Sequence, residues 1–523
     1  MIAARHLAPI ALLAACTLLA GPAEARRDRT VTGDVIKAAR YLQTSRLDDA
    51  RALLIDLEDR APDAIEVKWL RAELAFQTGD YAGAIKLLDK LPDSGVDGMI
   101  GQTRKLATST LAVTETFTEV KSPKGRFVIR YAPGPDETIA TLAGEVLDAA
   151  WEQIGNDLGL KPTDPIRIEL LGAPADLAKL SPLTERDIET TGTIALSKYN
   201  KLMVVSPRAT IFGYPWMDTL AHEYTHLLVS RISHDSVPVW LQEGIARFEQ
   251  SRWRRPAEVV LSASEQTLLQ AALRKGRLIS FDEMHPSMAK LPSQEAAALA
   301  YAEVYTLVGW MHDKIGFAGV RNAVTLTRDG KSARRAVAEA LGVTWQAVDK
   351  QWRAHLKTLD RSVPARGGQP IRFAKGGVDS ENVGIEQVSA RARKHARIGG
   401  MLRARGMAEA AVIEYERALA AGPEPFVAGK LARTLVELGR HDRAIELATP
   451  LVAADDHDAV AAVTLGMARL ARHEWAQAIS AFEQALRISP FDPTTRCGLA
   501  EAYAQISDSR AARERAACTE LKN

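Results

Sequence analysis

Two histidines and two carboxylates fall close together in Thr219-Leu-Ala-His222-Glu223-Tyr-Thr-His226 and in Trp240-Leu-Gln-Glu243-Gly244-Ile-Ala246. Residues four apart on a helix project from one face, one turn above the other, so the imidazoles of His222 and His226 can converge on a single ion. Glu223 is displaced about 100° around the same helix, where it flanks the ion and can take a proton from water bound there. The spacing thus separates ligand from base.

The elements that must hold these groups are legible around them. Pro215, the apolar positions Leu220, Tyr224, Leu227 and Leu228, and the lack of internal Gly or Pro predict a helix over 216–230. Residues 233–238 read as a loop. Pro238 suits the first turn of a second helix, 239–250, on which Glu243 lies 17 residues beyond His226. Two antiparallel helices would return Glu243 to the ion. Zinc accepts two histidines and one carboxylate, and a catalytic site keeps a fourth position for water, so one Zn2+ held by His222, His226 and Glu243 is expected.

A His-Glu-x-x-His segment followed at this distance by Trp-Leu-x-Glu-Gly-x-Ala resembles the gluzincin metallopeptidases, specifically their peptidase-MA-like domains. The resemblance covers about residues 118–360. It implies an α+β zincin-like fold, a mixed sheet with active-site helices, in which Glu223 acts as general base in peptide hydrolysis. It also implies a Tyr-rich helix after the third ligand, whose phenol donates to the oxyanion formed on the scissile carbonyl. A helix predicted over 296–315 carries Tyr301, the first candidate, and Tyr305, the second; His285 and His312 are weaker alternatives. Many gluzincins carry an Asp four residues after the third ligand, hydrogen-bonded to a metal-bound histidine. Here that position is Arg247, which leaves the partner of the ligand histidines unassigned.

Strand patterns precede the helix pair. Phe127–Tyr131 is followed by a turn, residues 166–171 alternate at strand period, and 193–196 and 202–205 flank Lys198-Tyr-Asn-Lys201 as a hairpin. In zincin folds the strand at this place is an edge that pairs with extended substrate.

Repeats account for both ends. Ala411, Ala444 and Ala478 recur at 33 and 34 residues, Gly406 and Gly439 precede the first two by five positions, and Tyr415-Glu-Arg-Ala418-Leu419 is echoed 67 residues later by Phe482-Glu-Gln-Ala485-Leu486. Near the front, Leu47 and Ala50 recur as Tyr81 and Ala84. These patterns resemble tetratricopeptide repeats, helix pairs that bury their apolar faces by stacking and commonly bind protein partners. The expected chain is predominantly α: signal peptide 1–25, repeats 31–112, peptidase domain 118–360, a Gly/Pro-rich linker 361–385 and repeats 386–521.

Arg5, the apolar run 7–21 and Ala23-Glu-Ala25 read as a bacterial secretory signal, which predicts export, to the periplasm in the first reading. Leu13-Ala-Ala-Cys16 also resembles a lipobox, so anchoring through an acylated Cys16 is the alternative. No second apolar run of spanning length follows, so no transmembrane segment is expected in the mature chain. An oxidising compartment would favour a disulfide between Cys497 and Cys518, which lie equidistant from a predicted helical turn at residues 507–508. Formal net charge is +2 and no basic run carries aromatics, so nucleic acid is not an expected partner.

The expected function is an exported zinc-dependent peptidase whose repeats recruit protein partners or substrates. Its rival is a metal-containing tetratricopeptide scaffold of the envelope that cleaves nothing. Oligomeric state is not legible.

Overall fold

The computed structural model describes residues 22–254, 261–285, 288, 291–359, 372–373, 385, 388–454 and 457–522. The predicted leader up to residue 21, with Cys16, and most of the predicted linker lie outside them. The chain divides into two compact units. Among the described residues no helix is long and apolar enough to cross a membrane.

The first unit comprises residues 1–205, 219–260 and 268–361. It opens on helices α1 (Pro22–Gln43), α2 (Leu47–Arg60), α3 (Ile65–Gln77), α4 (Tyr81–Leu88) and α5 (Met99–Thr114). Ala38, Leu42, Ala50, Leu54 and Leu70 fill the core between the first three, and Phe76, Tyr81, Ala84 and Ala107 form the next layer. Gly79-Asp80-Tyr81 joins two helices by three separate devices. Gly79 ends α3 at φ +88°, where a Cβ would collide with the Arg167 guanidinium at 2.4 Å. Asp80 caps α4 by accepting from the Gly83 amide at 2.8 Å. Tyr81 then inserts its ring into the neighbouring sheet.

That sheet consists of β1 (Thr118–Lys121), β2 (Phe127–Tyr131), β3 (Ile166–Leu171), β4 (Ala195–Lys198) and β5 (Lys201–Val205). The order is β1-β2-β3-β5-β4, with β2, β3 and β5 parallel and the two edge strands antiparallel to their neighbours. The β4–β5 hairpin turns on Tyr199 and Asn200, both left-handed at φ +54° and +57°, the geometry of a two-residue type I′ turn. Helices α6 (Glu137–Leu158), α7 (Pro174–Leu180) and α8 (Glu185–Thr191) are inserted between strands. Beyond β5 come α9 (Trp216–Ser233), α10 (Val239–Glu249), α11 (Ala263–Lys275), α12 (Gln294–Arg328), α13 (Ala333–Ala340) and α14 (Trp345–Leu356). The helix expected over 296–315 ends where Gly316 leaves helical angles, at φ +60°, ψ −177°, and a second helical stretch continues from there to Arg328, so α12 is two helices joined at a kink.

Glu169, fully buried in β3, anchors the first repeats to the sheet. It accepts from the Tyr81 hydroxyl at 2.7 Å, and its two oxygens accept from Arg130 Nη1 at 3.1 and 3.2 Å. Lys201 Nζ in turn donates to Tyr81 Oη at 3.0 Å. Burial pushes the Lys201 ammonium down to about 8, with Glu169 opposing and Arg167 and Arg130 assisting. Glu169→Gln leaves the buried Lys201 and the half-buried Arg130 without their carboxylate and is expected to destabilise the unit by about 3 kcal/mol; urea unfolding followed by circular dichroism reads the loss.

The second unit comprises residues 206–218, 261–267 and 362–523. Its helices are α15 (Ala390–Ala404), α16 (Ala408–Ala420), α17 (Pro425–Glu437), α18 (His441–Ala454), α19 (Ala459–Ala471), α20 (Trp475–Leu486), α21 (Pro493–Gln505) and α22 (Arg510–Glu520). The repeat is a repeat of close contacts. A Cβ on Gly399 would lie 2.6 Å from the Tyr415 ring, and one on Gly466 would lie 2.7 Å from the Phe482 ring. Gly406 and Gly439 close their helices at φ +74° and +71°, while His473 adopts the same conformation at φ +59° in the third repeat. Within this unit the Tyr214 amide donates to the Ile488 carbonyl and Trp216 Nε1 to that of Leu486. In the last hairpin Arg496 and Glu514 pair fully buried at 2.7 Å, and Cys497 and Cys518 are joined, with Cα atoms 5.0 Å apart.

Candidate metal centre

Side chains of α9, from Thr219 onward, and of α10 meet within the first unit. His222 Nε2 and His226 Nε2 are 3.0 Å apart, and Glu243 Oε2 lies 3.2 and 3.3 Å from them. Zinc–ligand bonds of about 2.0–2.1 Å at tetrahedral angles set ligand atoms about 3.3 Å apart, so the triangle has the size the ion requires. Among the described residues this is the one group of three or more His, Cys, Asp or Glu able to hold a metal ion. Glu243 Oε2 is buried and makes no hydrogen bond. An acceptor left in that state is costly unless a cation joins it.

The electrostatics follow from this crowding. Burial by itself would raise the Glu243 carboxyl and lower the His226 imidazole. Their mutual attraction overrides both, holding Glu243 well below the usual carboxylate range and lifting His226 to about 9. Glu223 is 7% exposed, and its pKa is raised, by burial first, with His226, His222 and the Ser197 backbone opposing. A carboxyl shifted upward in this way is suited to receive a proton.

Two helix contacts place the remaining groups. Gly244 packs against α12 so closely that a Cβ would stand 2.9 Å from both the Val304 carbonyl oxygen and Val308 Cγ2. Tyr301 lies on α12 one turn before Val304, and its hydroxyl feels Glu243, then burial, then Glu223, all raising its pKa well above the phenolic value, with Arg247 opposing. Tyr305, one turn further on, is buried with its ring centroid 6.2 Å from that of Phe248. His312 also packs on Phe248, at 5.2 Å, and His285 is exposed in the loop after Phe281. Of these candidates, Tyr301 is the one coupled to Glu223 and Glu243. Trp240 serves the fold: its ring lies 4.7 Å from Phe281 and 6.2 Å from Trp345.

Gln242 was not singled out by the sequence. Both ligand imidazoles turn Nε2 inward, which leaves His226 Nδ1 buried on the far side of its ring without a conventional hydrogen bond. Gln242 Nε2 donates to Ser230 Oγ at 3.2 Å, one turn along α9 from His226, and the same carboxamide lies within reach of that imidazole. A glutamine beside a third ligand has no signature until the two helices are docked.

Residues 148–358 match the Peptidase MA superfamily. The chain carries a Peptidase MA superfamily domain. Residues 37–95 and 430–493 match a tetratricopeptide repeat family, so repeats flank the Peptidase MA domain on both sides. No curated protein matches the chain. Among the solved structures similar to part of it is a thermophilic TPR protein of Thermus thermophilus, at 26% identity over 25% of this chain and 74% of that one, with a TM-score of 0.23. MamA from Desulfovibrio magneticus matches at 18% identity over 26% of this chain and 97% of that one, with a TM-score of 0.18. Likenesses at these scores carry no argument about function.

The position of Gln242, bonded to Ser230 one turn from His226, has a measurable consequence. Groups that orient a ligand imidazole alter metal affinity by about 10–100-fold. Gln242→Ala is therefore expected to weaken zinc binding within that range in a chelator competition assay, without unfolding the domain.

Proposed function

We propose that the Peptidase MA domain is a zinc-dependent metallopeptidase acting outside the cytoplasm, with the flanking repeats engaging protein partners or substrates. The observation that carries this reading is the triangle of His222, His226 and Glu243 with the buried Glu223 beside it. A zinc ion bound there supplies Lewis acidity, polarising a peptide carbonyl and acidifying water. Glu223 accepts the proton of the attacking water and delivers it to the leaving amine nitrogen. Tyr301 donates its hydroxyl hydrogen bond to the carbonyl oxygen as negative charge develops there.

Substrate orientation is proposed to come from β4. It is an edge strand, paired with β5 alone among the described strands, and its Ser197 backbone reaches the Glu223 carboxylate. An extended peptide added to that edge passes beside the general base, with main-chain hydrogen bonds fixing its register. Export, to the periplasm or to a lipid anchor at Cys16, is proposed from the leader-like first 25 residues and is consistent with the Cys497–Cys518 bond.

A second reading, a metal-containing scaffold without hydrolytic activity, is favoured by Arg247 standing where many gluzincins carry Asp. One experiment separates the two. Glu223→Gln should retain stoichiometric zinc and lose peptide-library hydrolysis by about 10²–10⁴-fold; a wild-type protein that binds zinc and cleaves no peptide decides for the scaffold. For the oxyanion donor, Tyr301→Phe is expected to lower kcat by about 10²–10³-fold with KM nearly unchanged, whereas Tyr305→Phe should leave kcat within a few-fold. Equal losses in the two variants would remove Tyr301 from the mechanism.

A further inference from the structure

A cavity of about 330 Å³ in the first unit is lined by Lys37, Arg40, Tyr41, Thr44, Arg46 and His234. It is separate from the metal centre: His234 follows the last residue of α9, about 12 Å along the helix axis from His226. Lys37 and Arg40 lie three residues apart on α1, so they share a face, and both are exposed. Neither has an ion pair among the described residues. Arg46, in the turn between α1 and α2, is held across the Tyr41 ring at 4.1 Å by its pair with Asp49 at 2.7 Å, and Lys37 Nζ lies 5.7 Å from the same ring. His234 itself sits in the left-handed region at φ +53° and is half-buried.

The charge around the cavity is one-sided. Burial lowers the His234 pKa first; Arg46, Arg328 and Arg40 lower it further and Asp49 opposes them, while the neighbouring Asp235 carboxylate also feels His234. Arg328 is paired with its neighbour Asp329. Lys37 and Arg40 therefore bring two uncompensated cations to a recess that Tyr41 also lines, while the Thr44 hydroxyl is engaged with the Arg40 carbonyl at 2.7 Å. A monoanionic carboxylate would neutralise one of them. A phosphoryl group, carrying about −1.5 to −2 charge and three acceptor oxygens, matches both the charge and the donors, and guanidinium groups bind it through paired N–H donors.

We propose that this cavity is a binding site for a phosphoryl oxyanion, either a soluble phosphate compound or the head group of an anionic phospholipid. The site does not depend on the metal or on peptidase activity. The test uses the mature full-length chain at low ionic strength, with inorganic phosphate as the soluble probe and vesicles of phosphatidylglycerol or of phosphatidylcholine as the lipid probes. Calorimetry is expected to give a phosphate Kd of about 1 mM or tighter, accompanied by displacement of the His234 ring resonances. Lys37→Ala and Arg40→Ala should each weaken it at least fivefold, and the double variant Lys37→Glu/Arg40→Glu should abolish it while leaving the melting temperature and zinc content unchanged. Cosedimentation with phosphatidylglycerol but not phosphatidylcholine vesicles, lost in the double variant, assigns the phosphoryl group to a lipid. Phosphate binding without vesicle binding assigns it to a soluble compound. Wild-type protein that binds neither probe, or binding that survives in the double variant, overturns the proposal.

Discussion

The close approach of α10 to α12 at Gly244 is the constraint on which the centre rests. A glycine there lets the helix backbone come within van der Waals reach of the Val304 carbonyl, a distance that any side chain would enlarge. Glu243, the preceding residue, is thereby held against α9, where it meets both imidazoles, and Tyr301 is carried in on α12 from the other side. The aromatic packing of Trp240 on Phe281 and Trp345 fixes the same helix from its N-terminal end. The geometry of the triad is thus a result of helix packing, and an ion bound there would complete an arrangement that the apolar contacts already impose.

A buried carboxylate plays a similar part at the other end of the first unit. Glu169 ties a repeat helix to the sheet because Tyr81, Arg130 and Lys201 all answer its charge. Such a cluster is costly to desolvate and contributes specificity of docking more than net stability. The sheet is held in turn behind β4, the strand whose backbone reaches Glu223. The two polar clusters differ in one respect. Every partner of Glu169 comes from the protein, whereas Glu243 Oε2 has no hydrogen bond and is complete only with a cation.

The repeats follow a different economy. Their period reflects one contact reproduced at equivalent positions, an aromatic ring laid on a glycine of the preceding helix: Tyr415 on Gly399 and Phe482 on Gly466. The left-handed helix closures at Gly406 and Gly439 are met at His473 without glycine, which is why that signal fades from the third repeat although its geometry persists. The buried Arg496–Glu514 pair and the Cys497–Cys518 bond both close the hairpin of α21 and α22.

By itself the sequence determined whatever depends on local spacing. Helical periodicity put His222, Glu223 and His226 on α9, strand alternation and the Tyr199–Asn200 turn marked the hairpin, and recurrence of Ala and Gly marked the repeats. The end of the first stretch of α12 at residue 315 was legible, but not the second stretch that continues beyond the kink at Gly316. Nor was the role of Gln242, or the different settings of Tyr301 and Tyr305, which are equivalent in a helical pattern and diverge only when one faces Glu243 and the other packs on Phe248. The cationic recess was equally hidden, since Lys37 and Arg40 on α1 and His234 after α9 are far apart in the chain. Periodicity tells which residues share a face; only the docking of one element on another decides what that face meets.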